Sequence, residues 1–228
     1  MMTKAPTFTF VRDDKLSKLV SNKLFWLLFL IIVFSYPIIR SMYRELPPEL
    51  PKYFQLKEYS LINEFNQPFG SKNLKGKAYL ATFAFTSCPT TCPGLMEKMQ
   101  VVQKRLKGLG TKVGMVTYSV DPANDTPQVL HKYARSLHAN PYVWNFVTGD
   151  KKDLEALLID GFKVPMGDRE EVTKKLDDEK ISLFDIVHTE KVVLVDAEGF
   201  IRGYYSVDKQ SLDKLMIDLG LLINRQYN

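Results

Sequence analysis

Lys77 to Pro93 reads KAYLATFAFTSCPTTCP, and the reading of this stretch decides the fold. Lys77 to Phe85 is a nearly continuous apolar run of strand length, the pattern of a strand buried on both faces of a sheet. Thr86 to Cys92 then leaves the strand's C-terminal end as a loop that carries Cys88 and Cys92. Pro93 suits the first turn of a helix, where its missing N–H costs nothing. In that helix Leu95, Met99, Val102 and Leu106 recur at i, i+4, i+7 and i+11 and form one apolar stripe, which Gly108 and Gly110 close.

The pattern repeats downstream. Val113 to Val120 is a second buried strand, and Thr126-Pro127 starts a helix that reaches about Leu137. Trp144 to Val147 is a short third strand. Asp150 can cap a helix that carries Leu154, Leu157 and Leu158 and stops at Gly161. Pro165 to Lys180 is highly charged and reads as an exposed insertion. Lys191 to Asp196 and Phe200 to Tyr205 flank Ala197-Glu198-Gly199 as a hairpin, and a last helix runs from about Lys209 to Gly220. Strands alternating with helices argue for an α/β sheet covered by helices on both faces. Ligand sites in such sheets lie at the C-terminal ends of the strands, where Cys88 and Cys92 fall.

Length and composition agree with one such domain plus a terminal extension. The chain has 228 residues, 45% hydrophobic and 25% charged, enough to build a core. The net charge of +5 comes from lysines that mostly alternate with acids, so the charge pattern is not a nucleic-acid footprint. Two cysteines this close together cannot staple distant parts of a fold, which excludes a structural disulfide framework.

The extension is N-terminal. Leu24 to Ile39, LFWLLFLIIVFSYPII, is uncharged and apolar between Lys23 and Arg40. It is slightly short of the ~20 residues of a spanning helix, but both flanking cations can snorkel. Lys4, Arg12, Lys15, Lys18 and Lys23 precede it, which by the positive-inside rule leaves residues 1–23 in the cytoplasm and the domain outside. Ser35-Tyr36-Pro37 is a poor signal-peptidase exit, so the reading is a retained anchor over residues 24–41. Glu45 to Lys52 holds three prolines and reads as an extended spacer, giving a linker over 42–57 and a domain over 58–228.

The chemistry sits on the cysteine pair. A helix N-terminus favours thiolate over thiol, and thiolate both attacks disulfides and binds soft metals. Thioredoxin-type oxidoreductases put two residues between their cysteines, whereas this loop has three. His188, just ahead of the strand that starts at Lys191, stands where those enzymes have a proline. Two thiolates with an imidazole suit copper, and zinc accepts the same donors with a water as fourth ligand. Met96 and Met99 read as core residues, His131 and His138 as surface residues on one helix face, and Asp121 and Asp125 as loop-forming and capping residues.

The segment from Phe85 to Pro93, FTSCPTTCP, resembles the metal-binding loop of the Sco/SenC family of copper-binding assembly factors of cytochrome c oxidase. Val120 to Pro127, VDPANDTP, resembles that family's second motif, and Val187-His188-Thr189 ahead of KVVLVDAEGFIRGYY resembles its third. The likeness runs from about Glu58 to Gly220. It implies a thioredoxin-like fold, a central mixed sheet with helices on both faces, behind one N-terminal transmembrane helix. It also implies copper, as Cu(I) or Cu(II), held by Cys88, Cys92 and His188. Where many relatives carry an acid directly before the histidine, this sequence has Val187, with Asp185 further back.

The function implied is a membrane-anchored copper chaperone that serves the copper A subunit of cytochrome c oxidase and is itself loaded by an upstream copper donor. The alternatives are a thiol-disulfide reductase that works on copper-site cysteines through Cys88 and Cys92, itself served by an upstream thiol reductant, and a copper or redox sensor. The implied location is the inner membrane with the domain in the periplasm, a topology shared by a mitochondrial inner membrane facing the intermembrane space.

Overall fold

The structure is a computed structural model that describes residues 21–42, 47–163 and 190–227. The chain divides into two compact units, Met1–Pro48 and Glu49–Asn228. In the first, helix α1 (Lys23–Met42) has 20 residues, about 30 Å at 1.5 Å per residue. Over Lys23–Arg40 its mean hydropathy is 1.8 and none of it is buried, so it is long and apolar enough to cross a membrane.

In the second unit, the apolar runs form a seven-stranded mixed sheet in the order β2-β1-β5-β4-β3-β6-β7. The strands are β1 (Ser60–Asn63), β2 (Pro68–Gly70), β3 (Ala78–Ala84), β4 (Val113–Ser119), β5 (Trp144–Thr148), β6 (Lys191–Val195) and β7 (Ile201–Ser206). The helices are α2 (Ser71–Leu74), α3 (Thr91–Leu106), α4 (Pro127–Ser136), α5 (Lys151–Glu155), which runs into a π turn over Ala156–Gly161, and α6 (Lys209–Tyr227). β3, β4 and β5 are parallel, and β6 and β1 flank them antiparallel. Every residue of β3 and β4 is buried, as their unbroken apolar runs require.

Alternate positions on the strands meet different layers. Phe146 faces Tyr133 of α4, with ring centroids 6.0 Å apart, and the Tyr205 hydroxyl donates to Asp218 of α6 at 2.7 Å. Arg105 of α3 pairs with Asp213 of α6, and Gln100 of α3 donates to the Leu137 carbonyl beyond α4. These three helices share one face. On the other, Phe83 and Tyr118 pack against Phe162, which follows the π turn, and Tyr204 donates to the Phe162 carbonyl. The expected arrangement of helices on both faces holds.

Three local features differ from the sequence reading. First, β1 and β2 form an extra hairpin whose turn is held by the Asn63 carboxamide oxygen, which accepts from the Phe65 and Gln67 amides. Just past β1, buried Glu64 accepts from the Phe146 amide at 3.0 Å and stitches that hairpin to β5.

Second, Glu49 to Lys57 is no free spacer. Tyr53 donates to Ile201, Ile201 to Phe54 and Leu56 to Gly199, which lays the segment along β7 as a strap. The buried Arg202 side chain donates to the Leu50 carbonyl at 2.6 Å and to Glu49 at 3.0 Å. The expected linker of 42–57 therefore gives way to domain at Glu49, because the prolines permit the extended backbone that an edge strand needs.

Third, α4 ends at Ser136 and His138 turns out of it with φ +52, so His131 and His138 do not share a helix face. His131 instead packs on Phe65, and His138 is exposed. The expected caps Thr126 and Asp150 accept from Val129 and Lys152 as read. The insertion expected over Pro165–Lys180 lies outside the described residues.

Candidate functional site

The buried strand β3 delivers its chain to the C-terminal edge of the sheet, and the loop there turns at once into α3. The Cys88 amide donates to the Phe85 carbonyl at 3.3 Å, which closes the turn. α3 begins at Thr91, two residues before Pro93, so Cys92 lies inside the first turn rather than ahead of it. The Thr90 side chain makes no cap hydrogen bond. The Cys88 sulfur takes that place, accepting from the Cys92 amide at 3.4 Å. The Thr91 and Thr90 hydroxyls lie 3.6 and 4.0 Å from the same sulfur.

These contacts split the two thiols. Burial works against a Cys88 thiolate, but the Cys92 thiol, the Cys92 and Thr90 amides and the Thr91 hydroxyl outweigh it and bring Cys88 down to about 6. Burial pushes Cys92 up to about 12, and the neighbouring Cys88 sulfur adds to that rise. At neutral pH the pair therefore carries one thiolate, on Cys88, and one thiol, on Cys92. Both are free cysteines, with 8% and 1% of their surface exposed. Tyr133 of α4 lies close enough to feel them: burial pushes its phenol up to about 12, and Cys92, Cys88 and Asp125 add to the effect.

Such a site offers two soft sulfur donors beside a helix N-terminus, which suits a soft metal ion or a thiol-disulfide step. Among the described residues no group of three or more His, Cys, Asp and Glu side chains gathers around one point. His188, expected as the third ligand, lies outside the described residues, as do Asp185 and Val187. Met96 and Met99 are fully buried in the core, as expected.

The sequence pattern of the SCO1/SenC family matches residues 49–220. The chain belongs to the SCO1/SenC family. It is 28% identical over 171 residues to the SCO1 protein homolog of Bacillus subtilis (strain 168), covering 74% of this chain and 83% of that one. It is 26% identical over 156 residues to a putative copper-binding protein of Stutzerimonas stutzeri, covering 68% and 71% of the two chains. It also matches the structure of BsSco, a member of the Sco family of cytochrome c oxidase assembly proteins in which a disulfide switch has been identified. That match has TM-score 0.62 and 26% identity, covering 78% of this chain and 98% of BsSco. The fold is thus the thioredoxin-like one of SCO1/SenC proteins.

One residue of the SCO1/SenC second motif has a different place from the expected one. Asp125 is fully buried, and Thr126, not Asp125, caps α4. Asp125 instead accepts from the Thr86 amide at 3.2 Å, the Thr86 hydroxyl at 2.5 Å and the Ser119 hydroxyl at 2.6 Å. Asp121 does form its loop, with its carbonyl accepting from the Asn124 and Asp125 amides. Only the spacing of an acid before Thr-Pro was visible in the sequence. That signal is the same for a cap and for a buried bond to a distant loop.

Proposed function

We propose that this SCO1/SenC chain is a membrane-anchored copper carrier. Copper is its cargo, held by Cys88, Cys92 and His188 and passed to the copper A site of a cytochrome c oxidase. The observation that carries the reading is the Cys88 sulfur, held as thiolate at the start of α3 with the Cys92 sulfur beside it. Two sulfurs so placed satisfy Cu(I), and an imidazole added to them suits Cu(II). The copper-binding relative and the oxidase-assembly role of BsSco's family support the cargo and the acceptor.

α1 serves as the anchor, with residues 1–23 on the cytoplasmic side and the domain in the periplasm. Confining donor and acceptor to one membrane raises their effective concentration. Incomplete coordination at an exposed loop lets an incoming thiolate displace a ligand, so copper leaves by ligand exchange. The test is copper titration followed by visible absorption and paramagnetic resonance. Wild type is expected to bind one copper per chain with a Cu(II)–thiolate band. Cys88→Ala is expected to lose that band, and His188→Ala to lose Cu(II) while retaining Cu(I). A band that persists unchanged in Cys88→Ala would sink the proposal.

The split acidity of the pair favours a second reading, reduction of an acceptor's copper-site disulfide. The Cys88 thiolate attacks one acceptor sulfur and displaces the other. Cys92 then loses its proton and attacks Cys88, which releases the acceptor's second thiolate. Two electrons pass to the acceptor, and the pair is left as a disulfide. This route needs no histidine, so full oxidase assembly in His188→Ala decides for reduction and its loss decides for carriage.

A further inference from the structure

We infer that Asp125 is a positioning residue for Cys88, acting through Thr86. The inference rests on the thiol pair being the working centre and does not depend on which metal it takes. β3 and β4 remain paired to their ends, and the Val120 amide still reaches the Ala84 carbonyl at 3.1 Å. Beyond that point the two chains part, one toward the cysteines and the other toward α4. Asp125 closes the gap. Its carboxylate takes Thr86 from the β3 side and Ser119 from the β4 side, and it does so with no exposed surface.

Thr86 is two residues ahead of Cys88, with exposed Ser87 between them. The loop is therefore pinned at both ends. Thr86 is fixed by Asp125, and Cys92 by the first turn of α3. Between those pins the Cys88 sulfur is left in one place, under the Cys92 amide. An acceptor-only group suits this job, because all three of its partners arrive as donors. An asparagine has one oxygen fewer and would aim its own N–H groups at them.

The direction of the effect separates positioning from charge. A buried negative charge near Cys88 disfavours its thiolate, so if charge were all that Asp125 supplied, Asp125→Asn would make Cys88 more reactive. Positioning demands the reverse, since a slack loop no longer holds the sulfur in one place under the Cys92 amide at the start of α3.

The experiment is alkylation of reduced, full-length protein in detergent with iodoacetamide at pH 7, with Cys88 and Cys92 resolved by mass spectrometry. Asp125→Asn and Thr86→Val are each expected to slow Cys88 by about threefold to tenfold, the worth of one or two hydrogen bonds. Thr86→Ser keeps both donors and is expected to stay within about twofold of wild type. The double variant is expected to be no slower than Asp125→Asn, because the two side chains act as one unit. Faster alkylation in Asp125→Asn, or a wild-type rate in Thr86→Val, overturns the inference. Thr86→Val carries no change of charge and decides the matter even if Asp125→Asn fails to fold. No copper enters the assay, so failure of the copper reading leaves this result standing.

Discussion

Asp125 and Asp196 are both buried carboxylates lying beyond strands of the same sheet, yet the fold answers them with different chemistry. Asp196 follows β6 at the end of the sheet opposite the cysteines, where the Gly76 amide ahead of β3 reaches the Ala197 carbonyl. It accepts from the Glu198 and Phe200 amides and from the Arg202 guanidinium at 2.8 Å, with both side chains of the ion pair buried. Gly199 turns that hairpin with φ +85, a conformation that side chains disfavour. Asp125 receives only hydroxyls and a backbone amide. A guanidinium beside the thiols would hold them ionised and compete with a metal cation. Neutral donors fix the loop and leave the charge of the site to the sulfurs. The hairpin end thus spends its buried charge on stability, and the cysteine end spends its on geometry.

The comparison can be broken most forcefully at Arg202. Arg202→Met strands Asp196 without its cation and is expected to cost about 3–5 kcal/mol in chemical denaturation. Cys88 alkylation in the folded protein should stay at the wild-type rate. A cost below about 1 kcal/mol would show that Asp196 finds other donors and that the pair adds little.

The strap is the next test of the same end. A chain that begins at residue 58 forfeits the three backbone bonds to the hairpin and the Leu50 carbonyl that Arg202 uses. It should be less stable than one that begins at Glu49 by on the order of 3 kcal/mol. Equal denaturation midpoints for the two chains would mean that the strap is held only loosely.

At the cysteine end, Asp125→Asn is expected to cost about 1–3 kcal/mol, but to alter Cys88 reactivity as well. The pH response should mark this end too. Cys88 has its folded value near about 6 against an ordinary 9.0. A depressed value stabilises the fold fully above the ordinary value, and the gain is lost as pH falls through about 6. Cys92 is the opposite case: its contribution is full below 9.0 and fades as pH rises toward about 12. Denaturation midpoints of reduced wild type and Cys88→Ser, followed from pH 5 to 9, should therefore diverge on the alkaline side. The smallest effect belongs to the exposed pair of Lys52 and Glu198, 2.9 Å apart. Lys52→Ala is expected to cost about 0–1 kcal/mol, a shift that thermal melting in high salt should erase.

The elements that could be read without the structure are those whose signal is local. β3 and β4 announce themselves as unbroken apolar runs, and α3 by the stripe of Leu95, Met99, Val102 and Leu106, all of them buried. The Ala197-Glu198-Gly199 turn marks its hairpin, and Thr126 and Asp150 mark their helix starts. The first hairpin escaped because β1 and β2 have only four and three residues and bury Asn63 beside Leu61. A run that short has no period to detect. The strap escaped because proline-rich sequence reads alike whether it is free or laid against an edge.

The site divides along the same line. Sequence alone determined that two thiols stand at a strand-to-helix junction, since the run before Cys88 and the proline after Cys92 are local facts. It determined equally that an apolar helix precedes the domain. Only the tertiary structure decided that Cys88 becomes the thiolate and Cys92 the thiol. That choice depends on which sulfur reaches the helix amide and which is buried behind it. It also decided that Asp125 serves the cysteine loop rather than its own helix. Its partner Thr86 lies 39 residues away in the chain, and a bond over that distance leaves no trace in local pattern.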